Sequence, residues 1–410
     1  MKPSRHWLTY NFGLDQWKVY LMIGESLAPG AFESLRVLDL ATFIAGPYCA
    51  TYLAEFGADV VKVELAGSGD PIRKFGTPTA CGDTLVWLSE GRNKRSIELD
   101  LRTPEGSETL KRLAAEADIL VENFQPGTLE RWGLGPDVLQ ALNPRLIIAR
   151  VTAYGQTGPY SDRPGFGRIA NAFSGISYLC GEPGAPPASP GTATLSDYVT
   201  GLYAALGVLT ALHARGRTGR GQIIDLGLYE GTFRLLDELA PAYARSGFVR
   251  ERMGAGTVNA VPHSHYPTKD GKWVAIACTN DKIFGRLAAL MDRMDVTGEG
   301  IYGTIGQREA RRAEVDAFVS HWTSGLTRDE ILAACETGQV PCGPVYGIDE
   351  IFADPQYAAR GNLVRIEDER AGDLTLPGVC PRLSDTPGGI RWAGRALGAD
   401  SAAILADWLD

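Results

Sequence analysis

Short apolar strands alternate with helices from residue 35 onward, and this alternation constrains the chain more than any other feature. Residues 35–40 (LRVLDL) form a strand. Gly46-Pro47 then opens an apolar helix, where proline costs nothing because the first amides of a helix lack an intrahelical partner. That helix ends at Gly57, a natural left-handed cap. Further strands fall at 60–65, 96–101, 118–122 and 145–151. Residues 104–117 make an amphipathic helix with Leu110, Leu113 and Ala114 on one face. Strands alternating with helices predict a parallel sheet with right-handed crossovers, and ligands in such folds sit beyond the carboxyl ends of the strands.

The later chain is read more coarsely. A Gly/Pro-rich loop at 181–190 splits a helix-forming stretch, a long helix covers about 198–214, and 222–229 is strand-like. Residues 272–277 start a second αβ unit with helices near 282–293 and 309–323. The expected organisation is an arm at 1–34, a Rossmann-like large domain at 35–225 plus 345–410, a linker at 226–254 and a smaller α/β domain at 255–340. The arm has little periodicity, and Met22 is a candidate second start.

Composition sets outer limits. With 44% hydrophobic residues in 410, the chain has ample material for a packed core. A net charge of -9 disfavours nucleic acid as a partner while allowing a local basic patch for a small anion. No run of about 18 apolar residues predicts a membrane span, and polar and aromatic residues break any signal-peptide core near the N-terminus. The seven cysteines are scattered, never as C-x-x-C, which fits reduced thiols in a cytoplasmic protein.

Local motifs exclude more than they assign. Residues 216–221 (GRTGRG) follow a helix and precede a strand, the reverse of a dinucleotide loop, and read as a tight connection. His263 and His265 lack an acidic or cysteine partner at ligand spacing, so no metal is expected. No G-x-S-x-G elbow occurs. Asp197, after a Gly/Pro-rich loop and at the mouth of the long helix, reads by spacing alone as an N-cap first, with a functional carboxylate as the alternative.

Six segments carry a resemblance: LDLATFIAGPYCATYLAEFGADVVKVE, NKRSIELDLRTPEG, ADILVENFQPG, NPRLIIARVTAYGQTGP, SDYVTGLYAALGVLTAL and RTGRGQIIDLGLYEG. From about residue 35 the chain resembles the class III CoA-transferases, the family of formyl-CoA transferase, carnitine CoA-transferase and the α-methylacyl-CoA racemases. The resemblance implies that Asp197 is the nucleophile, because a carboxylate forms an acyl anhydride that keeps the reactivity of a thioester. It implies coenzyme A as a substrate with no permanently bound cofactor, and an intertwined homodimer.

By the same resemblance, Ile44 and Ala45 lie by the pantetheine and Leu99, Asp100, Leu101 and Arg102 by the nucleotide. Asn123, Phe124 and Gln125 form another contact stretch, followed by Arg131, with Lys94 and Arg95 near enough to add charge. Leu65 stands where the family often has arginine. Glycines within 165–175 and 254–256 are candidates for oxyanion amides. Phe166, Gly167 and Arg168 belong to the substrate pocket, Arg168 as a partner for a second carboxylate. The racemase branch pairs its aspartate with a histidine where this chain has Phe166, which favours transfer. A racemase and a structural subunit of a two-chain enzyme are the alternatives.

Overall fold

The computed structural model describes residues 8–10, 19–21, 30–298 and 301–409. The chain divides into a larger unit (1–177, 189–248, 355–410) and a smaller one (178–188, 249–354). Most of the arm, Met22 included, lies outside the described residues; within it, β1 (Leu8–Tyr10) pairs antiparallel with β2 (Val19–Leu21).

The larger unit then runs β3 (Arg36–Asp39), α1 (Ala45–Glu55), β4 (Asp59–Glu64), α2 (Leu85–Glu90), β5 (Lys94–Glu98) and α3 (Pro104–Glu116). It continues through β6 (Ile119–Glu122), α4 (Thr128–Arg131), α5 (Pro136–Leu142), β7 (Ile147–Thr152) and α6 (Gly167–Phe173). After a single turn, α7 (Ile176–Leu179), come the long α8 (Leu195–Thr218), β8 (Ile223–Gly227), α9 (Leu228–Arg234) and α10 (Leu239–Ser246). Strands β3 to β8 form one sheet in the order β5-β4-β3-β6-β7-β8, every pair parallel. That is the dinucleotide-fold order, with its reversal between β3 and β6.

Helices cover both faces, so the central strands are apolar almost throughout. Side chains alternate between two cores with the period of two that a strand imposes. Val37, Val60, Val121 and Ala149 pack with Leu53 of α1 and Ala204 and Val208 of α8. Leu38, Val61, Leu120 and Ile148 pack with Leu110 and Leu113 of α3 on the other side. Helix α8 has the length and hydropathy of a membrane-crossing helix, but its Ala204, Ala205, Val208 and Ala211 are buried in this core. Its end at Gly219, left-handed with φ 72°, puts 216–218 in the last helical turn and leaves 219–222 as the short connection into β8.

The smaller unit holds β9 (His263–Pro267), β10 (Trp273–Ala277), α11 (Asp281–Leu290), α12 (Ile305–Ala310), α13 (Arg312–Ser324), α14 (Arg328–Thr337), β11 (Cys342–Pro344) and α15 (Ile348–Ala353). Its antiparallel sheet β11-β10-β9 packs Tyr266, Val274 and Ile276 against Phe284, Leu287, Val319 and Ile331. The chain returns to the larger unit through α16 (Pro355–Ala359), the hairpin β12 (Leu363–Asp368) with β13 (Gly372–Pro377), and α17 (Ser401–Leu409). Ile404 and Trp408 of α17 pack into the core under α3.

The unit boundaries differ from the sequence expectation. Of the expected linker 226–254, residues 226–248 carry the end of β8, α9 and α10 in the larger unit, whereas 249–254 join the smaller one, as do 178–188 and 345–354. Turn residues mark where chain direction changes, and they carry no information about which body a segment joins.

Candidate active site

A cavity of about 250 Å³ opens beyond the carboxyl ends of β3, β6 and β7, at the reversal of strand order. Its floor is two loops, 42–45 after β3 and 123–126 after β6. Asn123 joins them: its Oδ1 accepts from the Thr42 amide at 2.8 Å and its Nδ2 donates to the Thr42 carbonyl at 2.7 Å. Val151 and Thr152 close one side, residues 163–166 another, and Asp197 and Leu228 enter from α8 and α9.

Asp197 lies in the first turn of α8, and Thr194 holds the N-cap position. The N-cap reading of Asp197 is therefore set aside. No hydrogen bond or ion pair reaches its carboxylate among the described residues, and burial alone pushes its pKa up to about 7. Gly167, the first residue of α6, sits directly against it: a Cβ there would fall 2.0 Å from Asp197 Oδ2. Gly201, one turn on along α8, allows a close approach to α1, since a Cβ would lie 2.7 Å from the Ala45 carbonyl. Two glycines thus let α6 and α1 close around the start of α8.

The loop after β3 is held in a conformation that costs energy. Phe43 has φ 63°, the left-handed region that a bulky residue seldom adopts, at a cost on the order of 1–3 kcal/mol. Asp70 Oδ1 accepts the Phe43 amide at 3.1 Å, and Asp70 Oδ2 pairs with Lys62 at 2.9 Å. Lys62 also reaches Asp39 at 3.7 Å and donates to the Ala41 carbonyl, while Lys94 meets Asp39 at 2.8 Å. All four side chains are buried, and two carboxylates balance two ammonium groups. Burial lowers the Lys94 pKa; at Lys62 burial acts the same way, but Asp39 and Asp70 outweigh it and the pKa is raised.

The expected site residues separate into two groups. Ile44, Ala45, Asn123, Phe124, Gln125, Phe166 and Asp197 line the cavity, and Gly167 touches Asp197. Leu99, Asp100, Leu101 and Arg102 lie at the end of β5 instead, where Arg102 and Asp100 pair at 2.7 Å, and none of the four lines the cavity. Arg131 is on α4, bonded to Thr128 Oγ1 at 2.7 Å. Arg168 is exposed on α6 and outside the cavity lining. Lys94 and Arg95 are committed to carboxylates, Lys94 to Asp39 and Arg95 to Asp59 and Asp407. Gly254 and Gly256 belong to the smaller unit.

Sequence reading missed Phe43, Thr152 and Arg163 in the lining. It also missed the Asp39–Lys62–Asp70–Lys94 network, although a lysine inside the apolar run VVKVE was a signal. A strand covered on both faces leaves no route to water, so such a lysine requires buried partners.

A desolvated, unpaired carboxylate lining a switch-point cavity is a candidate nucleophile or base. The family model for CoA-transferase family III matches residues 32–401. The chain belongs to that family. It is 54% identical to the succinyl-CoA–L-malate CoA-transferase beta subunit of Chloroflexus aurantiacus, across 92% of this chain and 93% of the relative. It is 52% identical to an alpha subunit of the same enzyme over 92% of this chain and 89% of the relative. A crystal structure of a CAIB/BAIF family protein from Brucella suis superposes with a TM-score of 0.82 at 36% identity, covering 93% of this chain and all of that one. The class III CoA-transferase assignment read from the sequence is thereby established, as is the α/β fold.

Proposed function

We propose that this CoA-transferase moves CoA from succinyl-CoA to a small dicarboxylic acid such as malate, with Asp197 as the covalent carrier. The observation that carries the reading is the lone, desolvated Asp197 carboxylate in the switch-point cavity. Ionised Asp197 attacks the thioester carbonyl, the C–S bond breaks, and CoA leaves as thiolate from a mixed anhydride. The thiolate then attacks the aspartyl carbonyl and releases succinate, leaving an aspartyl–CoA thioester. The acceptor carboxylate attacks that thioester, a second anhydride forms, and thiolate returns to the acceptor's acyl carbon. Each step exchanges one acyl bond for another of similar reactivity, so no ATP is needed. A desolvated nucleophile suits this sequence because water, which would hydrolyse an anhydride, is kept away.

Phe166 supports transfer over racemisation, since an apolar ring packed 5.7 Å from Phe43 cannot exchange a proton with an α-carbon. The dicarboxylate reading rests on the malate relatives. We place two copies in the working enzyme, with the exposed Leu202 and Leu206 of α8 as apolar surface for the second. The similarity to relatives named as alpha and beta subunits favours a second reading, one chain of a two-chain enzyme.

The test is mass spectrometry of the purified chain incubated with succinyl-CoA and quenched with hydroxylamine. Modification of the peptide bearing Asp197 is expected. An unmodified Asp197 in a protein that still turns over removes the acyl-enzyme route. Turnover that appears only after a second, unlike chain is added establishes the two-chain reading.

A further inference from the structure

We propose that Arg163, together with Thr152, holds the carboxylate of the substrate that does not react, and so selects dicarboxylates. This rests on the CoA-transfer reading of the same cavity. Arg163 is the one cationic side chain among the described residues lining the cavity that Asp197 enters. Neither Arg131 nor Arg168 takes part in that lining.

Arg163 is also prepared for an anion. Its guanidinium lies 3.8 Å from the centre of the Tyr160 ring, and its own amide donates to the Tyr160 carbonyl at 2.9 Å. Tyr160 is in turn braced edge-on by Tyr154 and Phe173, at 5.8 and 6.1 Å. An arginine stacked on a supported ring has lost rotamer freedom before its ligand arrives, and its planar fork still presents paired donors to a carboxylate. No carboxylate pairs with Arg163 among the described residues, unlike Arg73, Arg95 and Arg150 in the same unit.

Thr152 supplies an independent observation. It ends β7, lines the cavity and is 7% exposed, yet its Oγ1 has no hydrogen-bond partner among the described residues. A buried hydroxyl left unpaired is costly to the fold, and a substrate oxygen in the cavity removes that cost. The donor succinyl-CoA and a dicarboxylic acceptor each carry one free carboxylate when the other end reacts. One clamp therefore serves both halves of the reaction, since donor and acceptor occupy the cavity in turn.

The experiment compares the full chain with Arg163→Gln, Arg163→Lys and Thr152→Val. Transfer from succinyl-CoA to L-malate and to butyrate is followed as kcat/KM for each acceptor, which reports only the half-reaction after succinate leaves; CoA affinity is followed by calorimetry and succinate binding by saturation-transfer NMR. Arg163→Gln is expected to lower kcat/KM for malate by roughly 10- to 100-fold, with a much smaller change for butyrate. The malate-to-butyrate preference collapses, CoA affinity is retained, and Arg163→Lys restores part of the loss. Parallel losses with both acids, unchanged malate kinetics, or a drop in CoA affinity that marks Arg163 as a phosphate ligand would each overturn the clamp. The NMR arm separates this from the covalent mechanism. Succinate bound through Arg163 without acylation of Asp197 removes the acyl-enzyme and keeps the clamp. Acylated Asp197 with succinate binding indifferent to Arg163→Gln does the reverse.

Discussion

Asp39 and Asp197 are both buried carboxylates in the larger unit, and their surroundings are opposites. Asp39 is fully buried between two ammonium groups, Lys94 at 2.8 Å and Lys62 at 3.7 Å. Asp197 has no cation or donor among the described residues, and its pKa rises to about 7 through burial. A carboxylate surrounded by fixed cations is stabilised as an anion and has little tendency to share its electrons. One stripped of water and left unpaired is costly to the fold and therefore reactive. The difference separates an acid tied into the frame of the cavity from one left unpaired inside it. The paired group anchors the loop that bears the strained Phe43, and the unpaired group faces the cavity that this loop floors.

Replacement of each acid should separate the two roles most sharply. Asp197→Asn is expected to lower turnover by on the order of 10⁴-fold or more, as loss of a covalent nucleophile does. The same change should raise stability above pH 7. The folded carboxyl keeps its proton up to about 7 whereas the unfolded one loses it near 3.8, so wild-type stability falls as pH rises through that window. An amide has no such fall, and urea melts at pH 5 and pH 8 measure the gap. Asp39→Ala should do the opposite and cost roughly 3–5 kcal/mol, because two buried ammonium groups lose their shared partner. A stable Asp39→Ala protein, or an Asp197→Asn protein with near-normal turnover, would dissolve the contrast.

The paired acid was hidden in the sequence for the same reason that the sheet was visible. Strand periodicity is local: VVKVE and ADILVEN announce buried strands within a few residues, and the order of αβ units follows. Ion pairs are not local. Lys94 finds Asp39 across 55 positions, and Arg95 finds Asp407 across 312. Basic residues near a family contact stretch consequently looked like phosphate ligands when they are struts. Asp197 stood out only through family resemblance, because an aspartate opening a helix is ordinarily a cap; its place inside the first turn of the helix became visible only in the fold. Arg163 gave no periodic signal at all; its meaning comes from Tyr160 three residues earlier and from loops brought together by Asn123.

Gly167→Ala sharpens the contrast from the other side, by moving the reactive acid without removing it. The new Cβ would lie 2.0 Å from Asp197 Oδ2 and 2.9 Å from the Ala193 carbonyl, so the carboxylate must shift. Displacement of a nucleophile by about 1 Å costs up to roughly 10²-fold in rate. Acylation by succinyl-CoA should fall by about that factor, and urea stability should fall by roughly 1–3 kcal/mol, because the backbone at Ala193 must also give way. Acylation at the wild-type rate would mean that Asp197 is not the group that attacks the thioester.

The gentlest probe is pH. Only ionised Asp197 can attack a thioester, and kcat/KM reports the ionisation of the free enzyme. With a pKa of about 7, kcat/KM for succinyl-CoA should climb close to tenfold per unit below neutrality and level off above it. A flat profile across pH 5 to 8 would mean that Asp197 does not set the rate by its ionisation. The cause of the shift predicts a second property. Salt screens charge–charge terms and leaves desolvation almost untouched, so the midpoint should hold between low and high ionic strength. A midpoint that moves with salt would mean that a charged neighbour sets the reactivity of Asp197, and the distinction between the two acids would then be one of degree.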